Sequence, residues 1–222
     1  MNELFLSMLL TGVQIVIVIL AVDFASGVLH WLEDSYGKPS WPFLGKHVIE
    51  PNILHHFRPR AFTKTSVWRR NSGTMVICGS LMVMGVLLGG FHWMWLLACV
   101  LGAISNEIHC WAHRSPRENG KFITCLQRMG LIQSRKAHAR HHTDPKNQSY
   151  CTVTNFLNPM LDAVQFFGRM EGGIFLVTGK GRRKDESVRI KRKRNPVCRS
   201  KVGEECVSCP RGAEKVRVPD LR

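Results

Sequence analysis

Histidine is the residue type through which this chain could do chemistry. Ten occur in 222 residues, and nine fall at short spacings: His30, His47, the pair His55-His56, His109 with His113, and His138 with His141-His142. On a helix, positions i and i+4 share a face about 6 Å apart, so His109 and His113 can reach one ion, and His138, His141 and His142 add i,i+3 and i,i+4 pairs. One ion cannot take all of these imidazoles, so two metals are implied. Imidazole suits Zn, Cu, Fe and Ni. Zinc proteolysis is disfavoured because no HExxH occurs, and no G-x-S-x-G turn offers a serine nucleophile. What this leaves is a dinuclear, histidine-rich centre in which two irons could activate dioxygen against an unreactive C–H bond of a lipid chain.

The elements that must position these histidines are apolar. Residues 4–22 form an uncharged run, close to the ~20 residues that a helix needs to cross a hydrocarbon core of ~30 Å. A cleaved signal peptide is not expected, since no base precedes the run. Residues 71–106 contain no Lys, Arg, Asp or Glu; as one helix they would extend ~54 Å, too far for one pass. Gly89-Gly90 followed by Phe91, His92, Trp93 and Trp95 supplies a turn and interfacial aromatics, which predicts two helices at 73–88 and 93–110. Three passes put every Lys and Arg, and every histidine except His92, on one side, and the positive-inside rule makes that side cytosolic.

Net charge is +15, with 31 Lys+Arg against 16 Asp+Glu, yet 45% of the chain is hydrophobic, which excludes a disordered basic protein. Cys78, Cys99, Cys110, Cys125 and Cys151 are scattered and read as inert thiols. From residue 178 the chain becomes polar and basic, with the run Arg189 to Arg194 and Cys198, Cys206 and Cys209. No histidine follows His142, so the tail lacks a fourth zinc ligand. It reads as a solvated segment drawn to anionic lipid or to an acidic partner, with no specific nucleic acid expected.

Several motifs go further. Asp23-Phe24-x-Ser26-Gly27-x-x-His30-Trp31-x-x-Asp34 is followed by Gly45-Lys46, Pro51 with His55-His56, Pro59, Thr63 and Asn71. Then come Asn106-x-x-His109-x-Trp111-x-His113, Arg135-Lys136-x-His138-x-x-His141-His142 and Asn155-x-x-Asn158-Pro159. Over residues 22–175 the chain resembles the Kua family of membrane lipid desaturases, which includes plasmanylethanolamine desaturases, bacterial CarF proteins and a plastid desaturase acting on phosphatidylglycerol. The resemblance implies metal ligation by His30, His55, His56, His109, His113, His138, His141 and His142, with His47 and His92 outside. Family members often read RKHH where this chain has Arg135-Lys136-Ala137-His138.

The resemblance further implies an all-α integral membrane protein: about three transmembrane helices under a cytosolic, histidine-rich di-metal cap. The expected segments are a first transmembrane helix at 1–22, a histidine segment at 23–72, a transmembrane hairpin at 73–110, a second histidine-rich helical segment at 111–177, and a basic tail at 178–222. The expected cofactors are two Fe ions, with O2 as co-substrate. Electrons must come from an external donor, cytochrome b5 or a ferredoxin, since no GxGxxG fingerprint occurs. Asp23, Asp34, Glu107 and Asp144 lie near the histidine groups in sequence and are candidates to support them from behind. The expected reaction is conversion of plasmanylethanolamine to plasmenylethanolamine in the endoplasmic reticulum or a bacterial inner membrane. Desaturation of acyl-phosphatidylglycerol, a lipid hydroxylase with the same centre and a non-enzymatic metal-binding scaffold are the alternatives.

Overall fold

The structure, a computed structural model, describes residues 2–183; the arginine-rich run and the cysteines of the tail lie outside them. The described residues form helices and no strand. Helix α1 runs Glu3–Tyr36, well past the uncharged stretch, and is opened by the Asn2 side chain, which accepts from the Leu4 N–H. Its first half carries Leu4, Phe5, Met8, Leu9 and Val16 exposed, a surface suited to acyl chains rather than water. Its second half buries Asp23, Gly27, His30 and Asp34. These recur at i, i+4, i+7 and i+11, along one face of a 3.6-residue period.

A π-helical turn, Gly45–Ile49, leads into α2 (Glu50–Phe57), which buries His55 and His56, and α3 (Pro59–Thr63) follows. Helices α4 (Val67–Leu87) and α5 (Trp93–Ala103) form a hairpin whose turn passes through Gly89 at φ 70°, a conformation open to glycine at no steric cost. The Trp95 indole N–H donates to the Leu81 carbonyl across the pair. At Ile104 the chain bends by 42° into α6 (Ser105–His113), which carries His109 and His113. Among the described residues, α1 alone is long and apolar enough to cross a membrane by itself, and α5 with α6 qualify together as one bent element. Helix α4 opens with Arg69, Arg70 and Asn71, which lower its mean hydropathy.

The cap is completed by α7 (Pro116–Arg128), α8 (Arg135–Ala139), α9 (Leu157–Ala163) and α10 (Phe166–Thr178). Between α8 and α9 the segment 149–154 is buried although it is neither helix nor strand. Buried backbone groups need partners, and here side chains supply them. Asp23 accepts from the Val153 N–H at 2.8 Å and the Thr154 hydroxyl at 2.5 Å. Asn158 brackets Cys151, accepting from its N–H and donating to its carbonyl, and Asp162 takes the Ser149 N–H and hydroxyl. Beyond α10, Arg182 donates to the Lys146 carbonyl and Arg183 to that of Gly37, so the described chain folds back onto the cap.

Gly27 of α1 lies directly against this segment. A Cβ there would stand 2.6 Å from Cys151 Sγ and 3.1 Å from the Cys151 nitrogen, whereas Gly12 on the same helix faces open space. Alanine is ordinarily better than glycine in a helix by about 1 kcal/mol, while overpacking a tight contact costs roughly 1–3 kcal/mol. Thermal unfolding should therefore show Gly27→Ala destabilised and Gly12→Ala unchanged or stabilised. Equal behaviour of the two variants would mean that α1 does not pack closely on residue 151.

Candidate metal centre

Four elements deliver the imidazoles: α1 brings His30, α2 brings His55 and His56, α6 brings His109 and His113, and α8 with the turn after it brings His138, His141 and His142. They converge as two groups. His55, His109, His113, His138 and His142 form one, and His30, Asp34, His56 and His141 the other; within each, one potential ligand atom per residue lies within 4.8 Å of all the rest. The groups abut, with ring centroids 5.3 Å apart for His30 and His109 and 5.1 Å for His56 and His142.

The donor chemistry of this cluster fits metal ions. A neutral imidazole has one N–H and one lone pair. Nε2 of His138 faces Nε2 of His109 at 2.9 Å and Nε2 of His142 at 3.1 Å, and Nε2 of His109 faces Nε2 of His113 at 3.2 Å. A proton on any of these nitrogens serves one neighbour and leaves the others with lone pairs opposed. Two nitrogens bound at about 2.1 Å to one cation stand about 3.0 Å apart at right angles and about 3.4 Å apart in a tetrahedron, close to the separations found. Both nitrogens of His55 are buried with no hydrogen-bond partner, and the buried Nε2 atoms of His30 and His141 face only Oδ2 of Asp34, at 3.5 and 3.3 Å, as expected of groups that await a cation.

The surroundings hold the rings neutral and aimed. Burial, reinforced by the His113 ring, keeps His55 and His138 well below the usual imidazole range, and burial pushes His142 down to about 2. The Nδ1 atoms of His30 and His141 lie 3.2 Å from the Tyr150 carbonyl and 3.0 Å from the Gln148 carbonyl. With Nδ1–H donating there, each Nε2 keeps its lone pair for the centre. The Phe62 ring covers the five-histidine group, 5.0 Å from His109 and 5.2 Å from His55.

The four carboxylates named from the sequence have different situations. Asp34 stands among the imidazoles rather than behind them: Oδ1 is 3.0 Å from His56 Nε2 and accepts from the Asn52 amide at 2.7 Å, and Oδ2 lies 3.3 Å from His141 and 3.5 Å from His30. Asp23 acts one layer out, on the 149–154 segment. Glu107 faces cations instead of histidines, taking the buried Arg70 guanidinium through Nε at 2.9 Å and Nη2 at 2.5 Å. Arg70 also reaches the Phe62 and Thr65 carbonyls, tying α3, α4 and α6 together. Asp144 is exposed and lies 3.6 Å from Lys146. Of the two histidines expected outside, His47 is exposed and packs at a tilt against Phe43, and His92 caps α5.

Asn52, Phe62 and the Tyr150 and Gln148 carbonyls escaped the sequence reading. Asn52 was findable, one turn before His56 and therefore on its face; a backbone carbonyl leaves no trace in residue type.

Two expectations follow. If Asp34 binds metal, Asp34→Asn should lower the metal bound per chain, whereas Asp144→Asn should leave it unchanged; equal metal content in the two would remove Asp34 from the centre. Secondly, the unfolded chain's imidazoles have pKa about 6.5, above the folded values of His55, His138 and His142. Below that pH the unfolded state binds more protons, so metal-free protein should lose stability as pH falls from about 6.5 toward 2. Thermal unfolding of stripped protein at pH 7.5 and 5 measures this, and a flat profile would contradict it.

Residues 19–185 match the lipid desaturase domain. The chain is 30% identical over 172 residues to a probable fatty acid desaturase of Acanthamoeba polyphaga mimivirus, covering 75% of this chain and 84% of the relative. It is 34% identical over 176 residues to a plasmanylethanolamine desaturase of Myxococcus xanthus, covering 75% and 61%. It is 34% identical over 163 residues to the chloroplastic fatty acid desaturase 4-like 1 of Arabidopsis thaliana, covering 71% and 54%. The chain thus spans about three fifths and about half of the last two relatives. No solved structure matches. With a domain match over most of its length and a histidine cluster suited to metal, the chain belongs to the lipid desaturase family.

Proposed function

We propose that this chain is an O2-dependent di-iron desaturase that acts on plasmanylethanolamine and converts its alkyl ether to the vinyl ether. The observation that carries this reading is the convergence of eight imidazoles and Asp34 into two abutting groups. Imidazole donors by themselves accept several metals; desaturation of an unactivated chain is an oxidation, and zinc has no redox chemistry to contribute. Two irons with dioxygen would supply the oxidant that removes one hydrogen from each of two neighbouring carbons, with oxygen leaving as water.

The chain's own residues do the rest. His55, His109, His113, His138 and His142 would hold one ion, and His30, Asp34, His56 and His141 the other. The Tyr150 and Gln148 carbonyls orient His30 and His141, and the Asn52 amide orients Asp34. Phe62 shields the five-histidine group from water, with its backbone held by Arg70. Electrons would come from cytochrome b5 or a ferredoxin. Exposed Arg135, Lys136 and Arg140 beside His138 offer such an acidic partner a positive face.

In the membrane, α1, α4 and the bent α5–α6 element would form three passes, with the histidine cap cytosolic and the turn at 89–92 opposite, in endoplasmic reticulum or a bacterial inner membrane. Exposed Val76, Ile77, Val83, Val86 and Leu87 give α4 an apolar exterior suited to this. The similarity to a chloroplastic fatty acid desaturase favours one second reading, desaturation of an acyl chain of phosphatidylglycerol.

Purified protein should carry about two irons per chain. His109→Ala or His113→Ala should abolish vinyl-ether lipid in cells that otherwise lack the activity, while the protein still inserts in membranes. Lipid analysis separates the readings: a new acyl double bond without vinyl ether selects the second, and one zinc with no iron sinks both.

A further inference from the structure

Helix α7 has an exposed sector that plays no part in the reaction described above. The helix bends at Gly120 (φ 72°, ψ 178°), and the Thr124 hydroxyl donates to the Pro116 carbonyl across the bend at 3.0 Å. One side of the helix is fixed to the cap. Asn119 and Gln127 both donate to the Trp111 carbonyl, and Gln127 also donates to that of Gln133. The side opposite Gln127 carries Lys121, Cys125 and Arg128 at i, i+4 and i+7, and beside them Phe122 and Met129, which are 73% and 63% exposed. At 3.6 residues per turn these five occupy a sector of about 120°.

The sector is cationic as well as apolar. Arg117, Lys121 and Arg128, with Thr124 and Cys125, line an open groove of about 360 Å³. None of the three bases has an ion pair or hydrogen bond with another described residue. The one acid of α7, Glu118, is already taken by Ser115 and, at 2.5 Å, by Arg60 of α3. That ion pair also ties α7 to α3, which leads into α4, where Trp68 is 76% exposed. Tryptophan is favoured at the boundary between bilayer and water. Three unpaired bases suit an anion, the phenylalanine and methionine beside them suit acyl chains, and the surface of a bilayer offers both.

We propose that α7 lies in the membrane surface and holds the headgroup phosphate of an anionic phospholipid between Arg117, Lys121 and Arg128, with Phe122 and Met129 among the acyl chains. The proposal rests on the membrane placement given above and is independent of the reaction. Each guanidinium can give a phosphate two parallel hydrogen bonds, and the lysine adds a point charge. Through Asn119 and Gln127 this attachment reaches Trp111, which stands between His109 and His113 on α6. It therefore fixes the height of the histidine cap over the bilayer at a point separate from α1.

Cys125 reports occupancy, since it is exposed and lines the groove. Full-length protein in phosphatidylserine nanodiscs is treated with iodoacetamide, and modification of Cys125 is followed by peptide mass spectrometry, with each protein's rate in detergent micelles as its own reference. The wild type should react about tenfold more slowly in the nanodiscs. Arg117→Gln/Lys121→Gln/Arg128→Gln should lose this protection, Arg117→Lys/Arg128→Lys should keep most of it, and Phe122→Ser should lose part. Equal protection in the wild type and the triple variant, or equal protection in phosphatidylcholine nanodiscs, overturns the proposal. So does protection in micelles by millimolar inorganic phosphate that matches protection by lipid, which would make the groove a site for free phosphate. Protection by an acidic soluble protein but not by lipid would assign the groove to a protein partner and overturn it equally. If the chain does not enter nanodiscs at all, the membrane placement fails and the proposal falls with it.

Discussion

Eight imidazoles crowd together in the cap, and several of their ring nitrogens face one another with too few protons to pair them. That arrangement is unfavourable without a cation, so the rest of the cap has to hold it in place. The helices that carry the rings are short or bent where they do so: α8 has five residues, α2 eight, and α6 departs from α5 by 42°. Their positions therefore depend on contacts outside the cluster. Arg70 fixes α6 through Glu107, and Asp23, Asn158 and Asp162 fix the segment that supplies the Tyr150 carbonyl.

Helix α1 links the two halves of this design. Its first 20 or so residues present an apolar exterior, and the same helix then turns Asp23, Gly27, His30 and Asp34 toward the cap. Each has a separate duty: Asp23 anchors the buried segment, Gly27 lets that segment approach, and His30 and Asp34 enter the four-residue group. A helix held firmly at one end by apolar surroundings is a rigid support for ligands at the other, and rigid supports hold a ligand geometry better than loops do.

Much of this was legible beforehand. The i,i+4 pair His109 and His113 and the cluster His138, His141, His142 needed only helical spacing to be read as ligand candidates, whereas the first helix was expected to end at residue 22 and its continuation to Tyr36, with Asp23, Gly27, His30 and Asp34 on one face, was not read from the sequence. The apolar runs and the Gly89-Gly90 turn pointed to the first helix and to the α4–α5 hairpin, whereas the all-helical architecture of the whole came only from the family resemblance. The carboxylates were harder, because proximity in sequence says nothing about direction: Asp34 lies among the rings, Glu107 turns to Arg70, and Asp144 faces solvent.

The sequence by itself determined which residues can donate to metal, how they group along the chain, and that long apolar helices lie beside them, because residue type and helical period are local properties. Only the tertiary structure decided how eight histidines divide into a group of five and a group of four completed by Asp34, and which carbonyls orient them. Those outcomes depend on the crossing of α1, α2, α6 and α8 and on a buried irregular segment whose backbone is satisfied by side chains up to 131 positions away. Such pairings arise from packing between distant parts of the chain, and no local pattern encodes them.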